Sequence, residues 1–182
     1  MTFFLTVFAD LTVAVEAGMI LAALVYIRKV TETTTVSVVT EQYLQEGYAH
    51  ILQDKEIPPY VAIFRIHGPF LFGATDKIDE MLSQISELPP IIILRLRNMT
   101  AIDATGLQAL EKLADAVHTS GRGLILCGAR EQPARLMKQA EFEQHVGGEN
   151  ISHSIAEALE RAKGLYALMT QHGTASVAYP SW

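Results

Sequence analysis

Apolar and polar residues follow three different patterns along the chain, and each pattern predicts a different structure. Residues 3–27 are almost continuously apolar, residues 31–59 are mostly polar, and from residue 60 short apolar runs alternate with helical periodicity. These patterns predict one long helix, a linker, and a domain of strands and helices. We therefore divide the chain into a membrane helix at 1–30, a linker at 31–59, a folded domain at 60–168 and a flexible tail at 169–182.

Four short apolar runs within the domain have the composition of β-strands. They cover residues 60–66, 70–72, 91–96 and 123–128. The first two are separated by His67-Gly68-Pro69, which predicts a turn between two strands. The run at 91–96 is nearly continuous in its apolar character, which predicts an interior strand buried on both faces.

Helical periodicity follows the strands and predicts four amphipathic helices. Thr75 or Asp76 is placed to cap the first helix, and Pro133 suits the first turn of the third, which runs towards Phe142. The predicted apolar stripes of the other three are Ile78, Met81, Leu82 and Ile85; Leu107, Leu110, Leu113, Ala114 and Val117; and Ile155, Ala156, Leu159 and Ala162. The fold class is therefore α/β, with a mixed, mostly parallel sheet flanked by helices.

The apolar segment at 3–27 is long enough to cross a bilayer, whose hydrocarbon core is about 30 Å thick. Asp10 and Glu16 lie within it, and carboxylates are costly in lipid unless they face other helices or a wet cavity. We expect a transmembrane helix that evolved beside other helices. The alternatives are a helix of a soluble protein and, less compatible with the sequence, a cleaved signal peptide.

Arg28 and Lys29 directly follow the apolar segment. Basic residues that flank a membrane helix stay on the cytoplasmic side, so we expect the domain to face the cytoplasm from the inner (plasma) membrane.

Composition and charge exclude several classes of function. The chain has 182 residues, a formal charge of −6 and one cysteine, Cys127. An acidic chain is not expected to bind nucleic acid, and one cysteine cannot form an intramolecular disulfide. Cys127 is expected to be a buried apolar residue. We find no spacing typical of metal ligands and no catalytic motif, so we expect no metal, no cofactor and no enzymatic activity.

Two segments carry a resemblance to a known family. Residues 98–107, Asn-Met-Thr-Ala-Ile-Asp-Ala-Thr-Gly-Leu, resemble the Asp-Ser-Thr/Ser-Gly-Leu junction of STAS domains, the sulfate transporter and anti-sigma factor antagonist modules. Residues 64–73 resemble the transporter-linked branch, and residues 10–28 are similar to the last membrane helix of SulP-family anion permeases. The resemblance covers nearly the whole chain, in the order of a SulP C-terminus.

This resemblance implies the cytosolic regulatory or interaction domain of a SulP-type sulfate (inorganic anion) permease. SulP permeases place their anion site within a bundle of many spans, so this chain is expected to hold no complete transport pathway. A C-terminal fragment, a split gene product and a single-span STAS protein all remain open. Expected partners are the membrane, permease transmembrane helices, and a second copy or another regulatory protein. The alternative function is an antagonist-type signalling module that switches partners.

The junction loop of Asp103, Ala104, Thr105 and Gly106 is the candidate regulatory site. In the antagonists, the serine after the aspartate is phosphorylated, whereas this chain has Ala104 there. The resemblance therefore leaves Thr105 as a displaced acceptor. Asp103 can cap the following helix and Gly106 permits close backbone approach. The helix N-terminus could also take a nucleotide or another anion.

Overall fold

The computed structural model describes residues 2–32, 35–38, 57–71 and 76–171. Several sequence predictions fall outside these ranges: the strand end at Phe72, the helix cap at Thr75, most of the linker at 31–59 and the tail beyond residue 171.

The N-terminal segment forms one helix, α1 (Thr2–Glu32). Helix formation here agrees with the sequence prediction. Within the described residues, however, the structure contains no helix with both the length and the apolar character needed to cross a bilayer. Membrane insertion of residues 1–30 therefore stays a prediction.

The described strands form one sheet in the order β1-β2-β3-β4-β5. The strands are β1 (Thr35–Val38), β2 (Val61–Phe70), β3 (Ile91–Ile102), β4 (Gly123–Cys127) and β5 (Ile151–Ser152). β1 runs antiparallel to β2, and the other neighbours are parallel. This confirms the predicted mixed, mostly parallel sheet, with β3 at its centre.

One strand prediction is wrong in detail, and two of the observed strands were not predicted. β2 is one continuous strand rather than two strands joined by a turn at 67–69. Gly68 has a φ of 89°, and the pairing with β3 shifts register between Arg65 and His67 and again between Gly68 and Pro69. The turn-forming residues are thus absorbed into β2, because glycine tolerates this φ, and at each of the two shifts β3 carries one more residue than β2, as in a β-bulge. β1 also lies inside the segment predicted to be a linker, and β5 was not predicted.

The remaining helices cover the two faces of the sheet. They are α2 (Asp76–Ser83), α3 (Ala104–Thr119), α4 (Glu131–Gln139), α5 (Glu143–Val146) and α6 (Ile155–Gln171). Helices α2 to α5 contribute side chains to the core on one face, whereas α6 packs against the other. Ile92 and Leu94 face the first core and Ile91 and Ile93 the second, which confirms that β3 is buried on both faces.

The helix predictions hold with three corrections. The stripe on α3 is buried as expected. α2 ends at Ser83, so Ile85 lies in a separate 3₁₀ turn (Ile85–Glu87). α4 ends at Gln139, before Phe142, and a short helix α5 follows. Ala156 on α6 is exposed, and Ala158 takes its place in the core.

Candidate functional site

The junction between β3 and α3 holds all four residues of the predicted regulatory loop. Asp103 is the N-cap of α3, and its carboxylate accepts a hydrogen bond from the Gly106 backbone N–H at 2.8 Å. This contact satisfies one of the donors left free at the start of a helix, and such caps are worth about 1 kcal/mol. The capping role predicted for Asp103 is therefore observed.

Gly106 lies where the first turn of α3 passes closest to the end of β2. A Cβ built on Gly106 would sit 2.5 Å from the Phe70 carbonyl oxygen, 2.9 Å from Phe70 Cδ1 and 3.0 Å from Ile102 Cγ1. Real Cβ atoms do not approach a carbonyl oxygen that closely, so only glycine fits without a backbone shift. The close approach inferred from the sequence is thus a property of the fold, and it sets the position of the loop against the sheet.

Gln132 on α4 holds the other side of the junction. Its Nε2 donates to the Ile102 carbonyl oxygen at 2.9 Å, and its Oε1 accepts from the Ile102 N–H at 3.0 Å. One amide side chain therefore pairs with both backbone groups of the last residue of β3. Sequence reasoning missed Gln132, because it lies 30 positions from Ile102 and no local motif marks it.

The two remaining loop residues differ in accessibility. Ala104 is exposed, whereas Thr105 is partly buried. The position that carries a phosphorylated serine in the antagonists therefore lies on the surface here, but its side chain is a methyl group. The loop presents no hydroxyl at position 104, and the assignment of Thr105 as a displaced acceptor stays a prediction.

The predicted membrane-helix residues lie apart in the chain from this loop. Asp10, Glu16, Arg28 and Lys29 all belong to α1. The side chains of Glu16 and Lys29 are exposed. Nine large apolar side chains of α1 are each more than half exposed, namely Leu11, Val13, Val15, Met19, Ile20, Leu21, Leu24, Val25 and Tyr26.

Cys127 and His145 are two further residues whose side chains can take part in chemistry. Cys127 is buried, and burial raises the pKa of its thiol, which keeps it protonated at neutral pH. His145 contacts Asp115 at 2.9 Å on the surface. Across the described ranges, no three His, Cys, Asp or Glu side chains come together as a metal site would require.

Comparisons with known proteins match this fold to one family. The STAS domain family profile matches residues 53–158, which is more than half of the chain. YvdB of Bacillus subtilis, whose name describes it as a sulfate transporter, is 26% identical over 151 residues, which cover 82% of this chain and 27% of that protein. The chain thus spans about a quarter of the length of this relative.

Two solved structures of bacterial transporter domains cover most of the domain. A sulfate transporter family protein from Wolinella succinogenes is 33% identical, with a TM-score of 0.60, over 65% of this chain and 98% of that one. The STAS domain of a SulP transporter from Vibrio cholerae is 26% identical, with a TM-score of 0.55, over 70% of this chain and 95% of that one.

The antagonist branch shares the fold at lower identity. An anti-sigma factor antagonist from Thermotoga maritima is 18% identical, with a TM-score of 0.51, over 59% of this chain and 92% of that one. The transporter branch is therefore the better match, in agreement with Ala104 at the serine position. The chain belongs to the STAS domain family, and its domain is of the kind found in sulfate transporters of the SulP type.

Proposed function

We propose that this chain is the cytosolic regulatory and interaction part of a SulP-type sulfate or inorganic-anion permease. The observation that carries the proposal is the match to YvdB, which extends over 82% of this chain but only 27% of the transporter. A region like this one is therefore part of a much longer transport protein. The proposed role is non-enzymatic, and the transport pathway itself would be supplied by other helices.

We further propose that α1 is the helix that joins the domain to the membrane part. Support comes from the apolar side chains along α1, such as Leu21 and Leu24, which are 64% and 59% exposed. Water is a poor environment for a long helix that exposes this much apolar surface, so lipid and neighbouring permease helices would cover it. Asp10 and Glu16 would face those helices, and Arg28 and Lys29 would lie at the cytoplasmic face.

The junction loop is the proposed contact site for a regulatory partner or a second copy of the chain. Ala104 is exposed at the first position of α3. The Asp103 carboxylate already takes the Gly106 N–H and adds negative charge at the helix start. This arrangement disfavours a bound nucleotide or anion at that point, because the anion would compete with the carboxylate. We therefore assign the loop to protein contact.

A membrane-extraction experiment tests the placement of α1. The full chain is expected to stay in the membrane pellet after alkaline carbonate washing. The double variant Val13→Lys/Val15→Lys, at the middle of the predicted span, is expected to move to the soluble fraction, because each lysine at the centre of a span costs about 2.5–3.5 kcal/mol. The control Gln108→Lys/Gln171→Lys adds the same charge on exposed domain helices and should stay in the pellet. A wild-type chain that is fully soluble would overturn the membrane placement and favour the partner-switching alternative.

A domain exchange tests the transport assignment. The matching region of YvdB is replaced by this chain, and uptake of labelled sulfate is compared with that of a YvdB lacking the region. We expect the exchange to support more uptake than the deletion at equal membrane abundance. Equal uptake by the two would contradict a role for this chain within a transporter.

A further inference from the structure

A row of paired residues crosses all five described strands and carries two arginines at its centre. Ser37 pairs with Arg65, Arg65 with Arg95, Arg95 with Cys127, and Cys127 with Ser152. Cys127 faces the α6 core, as do Ile63 and Ile93, two residues before the arginines on their own strands. Since side chains along a strand alternate between faces, Arg65 and Arg95 also lie on the α6 face.

Arg95 is almost completely withdrawn from water, and Arg65 is partly so. The Arg95 residue is only 6% exposed. Arg65 is partly buried, and its Nε is fully buried without a hydrogen-bond partner. In the parts of the chain that the structure describes, neither guanidinium forms an ion pair with a carboxylate.

The charges around Arg95 increase the need for an anion. Burial, followed by repulsion from Arg65, lowers the pKa of Arg95, and Arg97 adds a smaller effect in the same direction. An arginine nevertheless stays protonated in proteins, so the positive charge is not lost. Like charges on directly paired strand positions destabilise a sheet, and a buried charge without a counter-charge is strongly unfavourable.

Glu157 on α6 and Cys127 on β4 are the two groups considered as a counter-charge. Glu157 accepts hydrogen bonds from the Ser154 hydroxyl at 2.9 Å and from the His153 N–H at 3.1 Å, which cap the start of α6. Cys127 has a thiol whose pKa is raised by burial, so it carries no negative charge at neutral pH. Among the described residues, neither group forms an ion pair with Arg65 or Arg95.

We propose that Arg65 and Arg95 form a binding site for a small tetrahedral oxyanion, sulfate or phosphate, on the α6 face of the sheet. Adjacent strands lie about 4.8 Å apart, so two guanidinium groups on paired positions can each present N–H donors to one anion. The planar fork of arginine suits the paired oxygens of sulfate and phosphate. The near-complete burial of Arg95 favours a small ion over a macromolecular surface. The site goes beyond the proposed function and does not depend on it.

Thermal unfolding of the full chain in detergent tests the site. Sodium chloride is replaced by sodium sulfate or sodium phosphate at constant ionic strength and low millimolar oxyanion. We expect the midpoint to rise with oxyanion concentration, as for any ligand that binds only the folded state. Arg95→Gln and Arg65→Gln should each weaken the apparent affinity at least tenfold. The control Arg135→Gln removes an exposed arginine of α4 and should behave as the wild type.

The oxyanion-free buffer supplies a second readout. If the arginines lack a counter-charge in the oxyanion-free buffer, the Arg95→Gln variant should unfold at the same temperature as the wild type or at a higher one. If Arg95 had a purely structural role, its replacement would lower the unfolding temperature. Arg65→Gln, at a partly exposed position, decides the matter if Arg95→Gln does not fold. The proposal is overturned if both glutamine variants keep the oxyanion response, or if the wild type responds no more to oxyanions than to chloride.

Discussion

Gly106→Ala is the sharpest single test of how the candidate site is built. The new Cβ would lie 2.5 Å from the Phe70 carbonyl oxygen, and this atom belongs to the backbone of a buried strand residue that cannot rotate away. Either α3 or the end of β2 has to move. The substitution therefore disturbs the position of the loop as well as the stability of the domain.

The expected magnitude follows from two opposing contributions. Overpacking a tight site costs about 1–3 kcal/mol, and a backbone contact places this case at the upper end. Alanine in a helix gains up to about 1 kcal/mol over glycine. The net loss in the free energy of unfolding is therefore about 2 kcal/mol. For a chain of this size, that corresponds to a fall of about 4–8 °C in the unfolding midpoint.

Gly164→Ala supplies a matched control. Gly164 lies within α6, and a Cβ built there meets no atom within 4 Å. The same substitution should therefore stabilise the domain by up to about 1 kcal/mol. Both variants are measured by thermal unfolding followed by circular dichroism. If Gly106→Ala unfolds at or above the wild-type temperature while Gly164→Ala behaves as expected, the reasoning from close approach is wrong.

Two further predictions concern contacts outside the loop itself. Gln132→Ala leaves the N–H and C=O of buried Ile102 without their side-chain partner, so we expect the free energy of unfolding in urea to fall by about 1–3 kcal/mol. The exposed control Gln108→Ala should change it little. An unchanged midpoint for Gln132→Ala would contradict the role assigned to this side chain. The hydrogen bond from the Ser154 hydroxyl, and to a smaller extent that from the His153 N–H, lowers the pKa of Glu157. The ionised Glu157 side chain therefore stabilises the fold at pH values above the ordinary glutamate pKa, and this stabilisation is lost as the pH falls through the lowered pKa. Glu157→Gln should therefore reduce stability at pH 7 and make unfolding less sensitive to acid than in the wild type, and parallel pH profiles of the two proteins would contradict this.

Local sequence pattern was sufficient for elements such as β3 and α3, in which burial follows a simple period. The continuous apolar run in β3 predicted a central strand, and the spacing of Leu107, Leu110 and Leu113 predicted the buried stripe of α3, because each pattern matches one kind of element. The Asp-x-x-Gly spacing at 103–106 likewise placed a helix cap. These features depend on residues that are close in sequence.

Tertiary structure decided the features that depend on residues far apart in the chain. Pairing with β3 kept β2 continuous through Gly68 and Pro69, where turn propensity alone predicted a break. Gln132 reaches Ile102 only because α4 packs beside the end of β3. Arg65 and Arg95 become neighbours only through strand register, which depends on how the apolar faces of two separate strands pack and not on the local pattern around either arginine. Register and packing, rather than local preference, therefore bring the charged residues of this protein together.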